Sequence, residues 1–196
     1  MTSNSLKNNP PKKDILIVVD MQKDFCQGGS LEVPDSESLL EPLNTAIKAA
    51  DSVGLIIVFT RDWHPVKHES FVGFGGQWPP HCIAETDGAA FHEKLYIPER
   101  TILISKGVSP NGMGYSPYES KEMRDLIETS AKTVYVTGIA LEYCVRETCL
   151  DTLKYGVSTI AIKDLVRSIS TDQYQVKSIW NELKHNGCVV QKSFLK

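Results

Sequence analysis

Three residues of this chain could together run acyl-transfer chemistry: Cys144, Asp20 and Lys106, each placed where an apolar run ends. Cys144 follows Gly138-Ile139-Ala140-Leu141-Glu142-Tyr143, a strand-to-helix turn that predicts its placement in the first turn of a helix. Exposed N–H groups and the dipole at such a terminus favour a thiolate, and the same N–H groups could receive an oxyanion once that thiolate attacks a carbonyl. A thiol nucleophile needs a base to take its proton and return it to a departing amine, a task open to Asp20. A cation beside both, Lys106, would keep the aspartate ionised and lower the thiol pKa. Singly, each residue has a bland reading: a small core thiol, a turn aspartate, a solvated lysine. That reading suits Cys149, on an apolar stripe with Leu141 and Val145, better than it suits Cys144.

A second constellation is Asp62-Trp63-His64 with His81 in Trp78-Pro79-Pro80-His81-Cys82. In an extended segment residues i and i+2 point the same way, so Asp62 and His64 can grip one ion from one side. His81, on a proline-stiffened loop, would complete an Asp-His-His set with positions left for water and substrate. Such nitrogen and oxygen donors suit one divalent metal ion, zinc first, with iron or manganese also admitted. His68 and Ser70 are candidates for the ion's outer shell. His92 and His185 read as surface histidines, and Cys82 as structural.

The elements that must position these groups follow from periodicity. Short β-branched runs at Ile15–Val19, Leu55–Thr60, Thr101–Ser105, Val134–Thr137, Ser158–Ile162 and Cys188–Val190 predict strands. Helical spacing predicts helices over Leu39–Ala50, Glu119–Ser130, Glu142–Tyr155 and Asp172–His185. Strands apolar on both faces, alternating with helices, predict an α/β fold: a doubly wound, parallel sheet in a three-layer α/β/α arrangement. In such folds ligands bind at the carboxyl ends of the strands. Asp20 ends the first strand, Asp62 and His64 follow the second, Lys106 ends the third and Cys144 follows the fourth. The segment from Trp63 to Ile97 breaks the rhythm with Gly, Pro, His and aromatic residues, and an irregular stretch of that length is usually functional. Its Gly73-Phe74-Gly75-Gly76 cluster neither follows a strand nor opens a helix, so it reads as a loop and not as a phosphate site.

Composition narrows the class. The 196 residues, 41% hydrophobic and 23% charged, fit one domain, expected over residues 14–196 after a polar tail at 1–13. A net charge of −3 offers no basic surface for nucleic acid. No apolar run approaches the ~20 residues that cross a bilayer, and no signal peptide precedes the fold, so no membrane partner is expected and the placement is cytoplasmic. The five cysteines include no C-x-x-C pair, which fits a reducing compartment. These features admit a homo-oligomer as readily as a monomer.

The motifs together resemble the nicotinamidase (pyrazinamidase) branch of the isochorismatase-like cysteine hydrolases. The segments that carry the resemblance are Val19-Asp20-Met21-Gln22-Lys23-Asp24-Phe25, Thr60-Arg61-Asp62-Trp63-His64-Pro65, Trp78-Pro79-Pro80-His81-Cys82, Lys106-Gly107 and Thr137-Gly138-Ile139-Ala140 with Tyr143-Cys144-Val145, in family order. The resemblance implies a six-stranded parallel sheet, Asp20, Lys106 and Cys144 as the catalytic group, and a metal on Asp62, His64 and His81 that anchors a pyridine nitrogen. It implies a cis peptide before Ala140, an oxyanion hole from the N–H groups of Ala140 and Cys144, and a ring pocket lined by Phe25, Trp78, Tyr115 and Ala140. The implied small-molecule substrate is nicotinamide, hydrolysed through a cysteine thioester to nicotinate and ammonia, a step of NAD salvage. One segment departs from the family pattern: where an acidic residue usually stands shortly before a Tyr-Ser pair, this chain has Val108-Ser109-Pro110-Asn111-Gly112-Met113-Gly114 ahead of Tyr115-Ser116.

Two other readings compete. A sister amidohydrolase acting on N-carbamoyl or ureido compounds would share the Cys-Asp-Lys group but lack the metal triad. A non-enzymatic binding domain on the same fold would be expected to have lost one of Asp20, Lys106 and Cys144, and none is missing.

Overall fold

The computed structural model describes residues 11–194. The tail expected at 1–13 therefore lies mostly outside the described residues, and Lys13, at its edge, already pairs with Ala131. The strands are β1 (Lys13–Val19), β2 (Ile56–Asp62), β3 (Ile102–Lys106), β4 (Ala131–Gly138), β5 (Ser158–Val166) and β6 (Val189–Gln191). The helices are α1 (Leu40–Ser52), α2 (Lys121–Ser130), α3 (Arg146–Lys154) and α4 (Gln173–His185). The strands form one six-stranded sheet in the order β3-β2-β1-β4-β5-β6, every neighbouring pair parallel. The doubly wound expectation holds, and the order reverses between β1 and β4, beside which such sheets bind ligands.

Alternation along the strands builds two cores. Ile15, Ile17 and Val19 of β1, with Val134 and Val136 of β4, face Met123 and Ile127 of α2, Cys149 beyond them on α3, and Trp180 and Leu183 of α4. Leu16 and Val18 face the opposite way, with Ile57 and Phe59 of β2, toward Leu43, Ile47 and Ala50 of α1. The two outer layers are unequal. Three helices cover the first face, whereas α1 shares the second with irregular chain that contributes Cys26, Val33, Cys82, Ala89 and Leu95 to the core. The stretch from Trp63 to Ile97 thus has a packing role as well as its site residues. Its glycine cluster is a loop, as expected: a 3₁₀ turn at Val72–Phe74 closes on Gly75 in the left-handed region.

Two expectations need correction. The helix expected over Glu142–Tyr155 is split, because a π-helical turn at Leu141–Val145 precedes α3, and Cys144 lies in that turn. His92 is not a surface histidine: it is buried, with Nε2 3.0 Å from a carboxylate oxygen of Glu37. Short-range spacing cannot foresee that contact, since Glu37 lies in a distant 3₁₀ turn at Ser36–Leu39. His185 is exposed, as expected.

Candidate active site and metal centre

Asp20 leaves β1 in a left-handed conformation, φ 50°, that aspartate tolerates better than bulkier residues. Thr60 of β2 holds it: the Thr60 hydroxyl donates to Asp20 Oδ1 at 2.7 Å, and the Asp20 N–H donates to the Thr60 carbonyl at 3.2 Å. The remaining oxygen, Oδ2, lies 2.7 Å from Nζ of Lys106 at the end of β3. That ammonium also donates to Cys144 Sγ at 3.2 Å, to the Gly114 carbonyl at 3.1 Å and, in a very short contact, to Asp62 Oδ1. Asp20 and Lys106 are fully buried and Cys144 is 6% exposed. The three residues that the strand ends were expected to deliver therefore meet, and Lys106 contacts the Cys144 sulfur and both aspartates.

Electrostatics follow from that burial. Desolvation pulls the Lys106 pKa down, but the carboxylates of Asp20 and Asp62 hold it well above the usual lysine value. Burial pushes Asp20 up against the pull of Lys106, while for Asp62 the neighbouring Lys106 and His64 overcome burial and hold the carboxyl below its usual range. Cys144 corrects the sequence expectation. Burial, aided by the negative charges of Asp20 and Asp62, pushes the thiol well above its usual value despite the pull of Lys106. Burial thus favours the neutral thiol here, and a neighbouring base that takes the proton would favour thiolate.

The second constellation also assembles. Oδ2 of Asp62, Nε2 of His64 and Nε2 of His81 turn inward, and the three ligand atoms lie within 4.8 Å of one another. Nδ1 of His64 is 3.0 Å from the Gly107 carbonyl and Nδ1 of His81 is 2.8 Å from the Pro79 carbonyl. Each carbonyl holds a proton on Nδ1 and so presents the Nε2 lone pair, as metal-binding histidines require. Burial moves the His81 pKa down, which keeps that lone pair available. Asp62 itself is fixed by Gln22, whose buried amide accepts from the Asp62 N–H at 2.7 Å and donates to the Asp62 and Ala89 carbonyls at 2.8 and 2.9 Å. His68 stacks on His64 with ring centroids 4.1 Å apart, and its Nδ1 lies 2.6 Å from the Ser70 hydroxyl. Burial and the adjacent His64 bring its pKa down to about 4.

Between the two groups lies a cavity of about 30 Å³ lined by Phe25, Trp78, His81, Tyr115, Ala140 and Cys144, among others. All four expected ring-pocket residues are there. Trp78 Nε1–H donates to the Tyr115 hydroxyl at 3.0 Å, and both rings pack on Tyr143. The peptide between Ile139 and Ala140 is cis, and among the described residues no acceptor takes the Ala140 N–H. The segment that departs from the family pattern is tied down by Glu69, whose carboxylate accepts from the Gly112 N–H at 2.6 Å. Gln22 and Glu69 were not singled out from the sequence. Gln22 sits beside Asp20 in a recognised motif, but only the fold shows its amide reaching Asp62 across the sheet edge.

A family model described as an Isochorismatase domain matches residues 14–193. The chain belongs to the isochorismatase family. Within that family it is 32% identical to a nicotinamidase of Saccharomyces cerevisiae, over 90% of this chain and 99% of the relative. A pyrazinamidase of Pyrococcus horikoshii, solved in complex with zinc, superposes with a TM-score of 0.86 at 39% identity, covering 92% of this chain and 99% of that one. A protein from L. infantum solved in complex with nicotinate gives 0.82 at 37% identity, over 92% and 93%. Among the described residues no helix is long and apolar enough to cross a membrane.

Proposed function

We infer that this chain is an amidohydrolase that converts nicotinamide to nicotinate and ammonia. The observation that carries the reading is Lys106, which joins a buried thiol, a buried carboxylate and an Asp-His-His set at one aromatic-lined pocket. A sister amidohydrolase without metal would have no use for two histidines held in the tautomer that presents Nε2. Relatives named nicotinamidase, and one similar structure holding nicotinate, support the choice of substrate.

In the proposed reaction the substrate carboxamide carbon lies against Cys144 Sγ and its oxygen toward the N–H groups of Ala140 and Cys144. Sulfur attacks carbon as its proton passes to Asp20, and the carbonyl electron pair moves onto the oxygen. Asp20 then gives that proton to the amide nitrogen, the carbon–nitrogen bond breaks, ammonia leaves and a thioester remains. Water adds to the thioester carbon, losing a proton to Asp20; the carbon–sulfur bond breaks and the thiolate takes the proton back. Lys106 steadies the negative charge wherever it sits among Asp20, Cys144 and Asp62.

Asp62, His64 and His81 fit one divalent metal ion: their donors converge and their tautomers are set by carbonyls. We propose zinc, which the Pyrococcus relative holds, with His68 and Ser70 in the outer shell. Once bound, the ion would fix the ring by its pyridine nitrogen and act chiefly as a template. We further propose a role in NAD salvage, and a cytoplasmic setting that suits the five unpaired cysteines.

The test is ammonia release from nicotinamide, pyrazinamide, an N-carbamoyl amino acid and a ureido acid, with Cys144→Ala as control and with metal stripped and restored. Turnover of nicotinamide that needs both Cys144 and metal is expected. Preference for a carbamoyl or ureido substrate, indifferent to chelation, would sink the reading.

A further inference from the structure

Residues from four strand ends account for the chemistry of the pocket, yet its lining includes one side chain from a fifth. Ile169 follows β5 and lines the cavity together with Ala140, Tyr143 and Cys144. It belongs to no element of regular structure and lies in the irregular stretch between β5 and α4. Its side chain packs on the core that α1 covers, and its backbone is held by one carboxylate. Glu142 accepts from the Ile169 N–H at 3.1 Å, from the Ser170 N–H at 2.7 Å, and from the Ser168 hydroxyl in a very short contact. Glu142 stands in the same π-helical turn as Cys144, two residues before it. The Leu141 N–H adds a bond of 2.9 Å to the Arg167 carbonyl, so the turn and the stretch are laced together along their length.

We propose that Glu142 is a positioning residue and Ile169 a specificity-determining one: Glu142 fastens the Ile169 wall to the turn that bears the nucleophile, so that ring placement and sulfur placement are set as one unit. The proposal rests on the amidohydrolase reading for its substrate. An ionised carboxylate taking several N–H and O–H donors is strong because each bond is charge-assisted. A solvent-facing cap would satisfy the loop equally well wherever it came from. A cap that arises from the nucleophile's own turn also fixes the distance between Ile169 and Cys144. Loosening it should admit bulkier rings and weaken the hold on the small one, while leaving Asp20, Lys106 and Cys144 in place.

The experiment compares Glu142→Ala, Glu142→Gln, Ile169→Ala and the double variant Glu142→Ala/Ile169→Ala in the metal-loaded protein. Ammonia release is measured on nicotinamide and on a ring-methylated nicotinamide. Glu142→Ala is expected to raise KM for nicotinamide about tenfold, the scale of one hydrogen bond to a charged group felt at the ring, with kcat changed less than about threefold. It should also cut the discrimination against the methylated ring by a factor like that of Ile169→Ala, and the double variant should lose no more than Ile169→Ala alone, since both act on one contact. Glu142→Gln, which keeps an acceptor, should fall between. A second reading needs no turnover: the rate of Cys144 alkylation by a ring-bearing chloroacetamide, relative to iodoacetamide, followed by peptide mass spectrometry. That ratio should shift in the same non-additive way. Loss of kcat with KM unchanged, full additivity, or an unshifted alkylation ratio would overturn the proposal. A wild-type protein that releases no ammonia from nicotinamide, with the alkylation ratio still shifted in the variants, would reject only the substrate assignment.

Discussion

Lys106 Nζ lies 3.2 Å from Cys144 Sγ, and still burial and two nearby carboxylates outweigh that one cation and push the thiol above its usual range. The alkylation of Cys144 by iodoacetamide should therefore climb with pH past the value at which an ordinary cysteine, with a pKa near ~8.5, has levelled off. Stopped-flow or mass-spectrometric rates across pH 6–10 would check this; a plateau below neutral pH would refute it.

Removing the cation should do more than slow the reaction. Lys106→Met leaves Asp20 and Asp62 facing each other without compensation, and a broken buried ion pair costs ~3–5 kcal/mol. We expect a lower melting temperature in the metal-free protein together with a loss in kcat/KM of about 10³-fold or more, read by calorimetry and by ammonia release. Asp20→Asn should lose catalysis to a similar degree, since it removes the base proposed to take the sulfur's proton, but should cost less stability.

How much of this was legible beforehand can be judged residue by residue. Asp20, Lys106 and Cys144 were readable because strand periodicity fixes where a strand ends, and the sheet brings those ends together. The direction of the thiol's shift was not, because a helix terminus and a lysine argue one way while burial, which only the packed structure reveals, argues the other. Gln22, Glu142 and Ile169 escaped for a related reason. Each bonds a partner far away in the chain, and no spacing rule encodes it.

Gly107 offers a test of how the metal set is aimed. It has φ 61°, and a Cβ added there would lie 2.3 Å from Cε1 of His64. Gly107→Ala must displace the ring whose Nδ1 bonds the Gly107 carbonyl. Disturbed support of a metal-binding histidine typically costs ~10–100-fold in affinity, so zinc titration against a chromophoric chelator should show a loss of that size. An unchanged affinity would mean that His64 is not held by this contact.

His68 should leave a mark on acid stability. Its pKa in the folded protein is about 4, below the 6.5 of a free histidine. The unfolded chain therefore binds its proton first as pH falls. The stabilising contribution is complete above about 6.5, declines as pH drops through that window and is gone below about 4. Melting curves of metal-free protein at pH 7, 5.5 and 4.5 should show a fall that is shallower in His68→Gln. Equal slopes would argue against a buried neutral imidazole.

The cavity between Cys144 and the metal-type residues is narrow, at about 30 Å³, and is walled by Phe25, Trp78, Tyr115 and Tyr143. We expect a pyridine ring with its carboxamide to enter as those side chains swing aside. The encounter is then gated by the frequency of that breathing as well as by diffusion, and such gating lowers association rate constants. Substrate capture by this protein should accordingly quicken with temperature more steeply than solvent viscosity alone would allow.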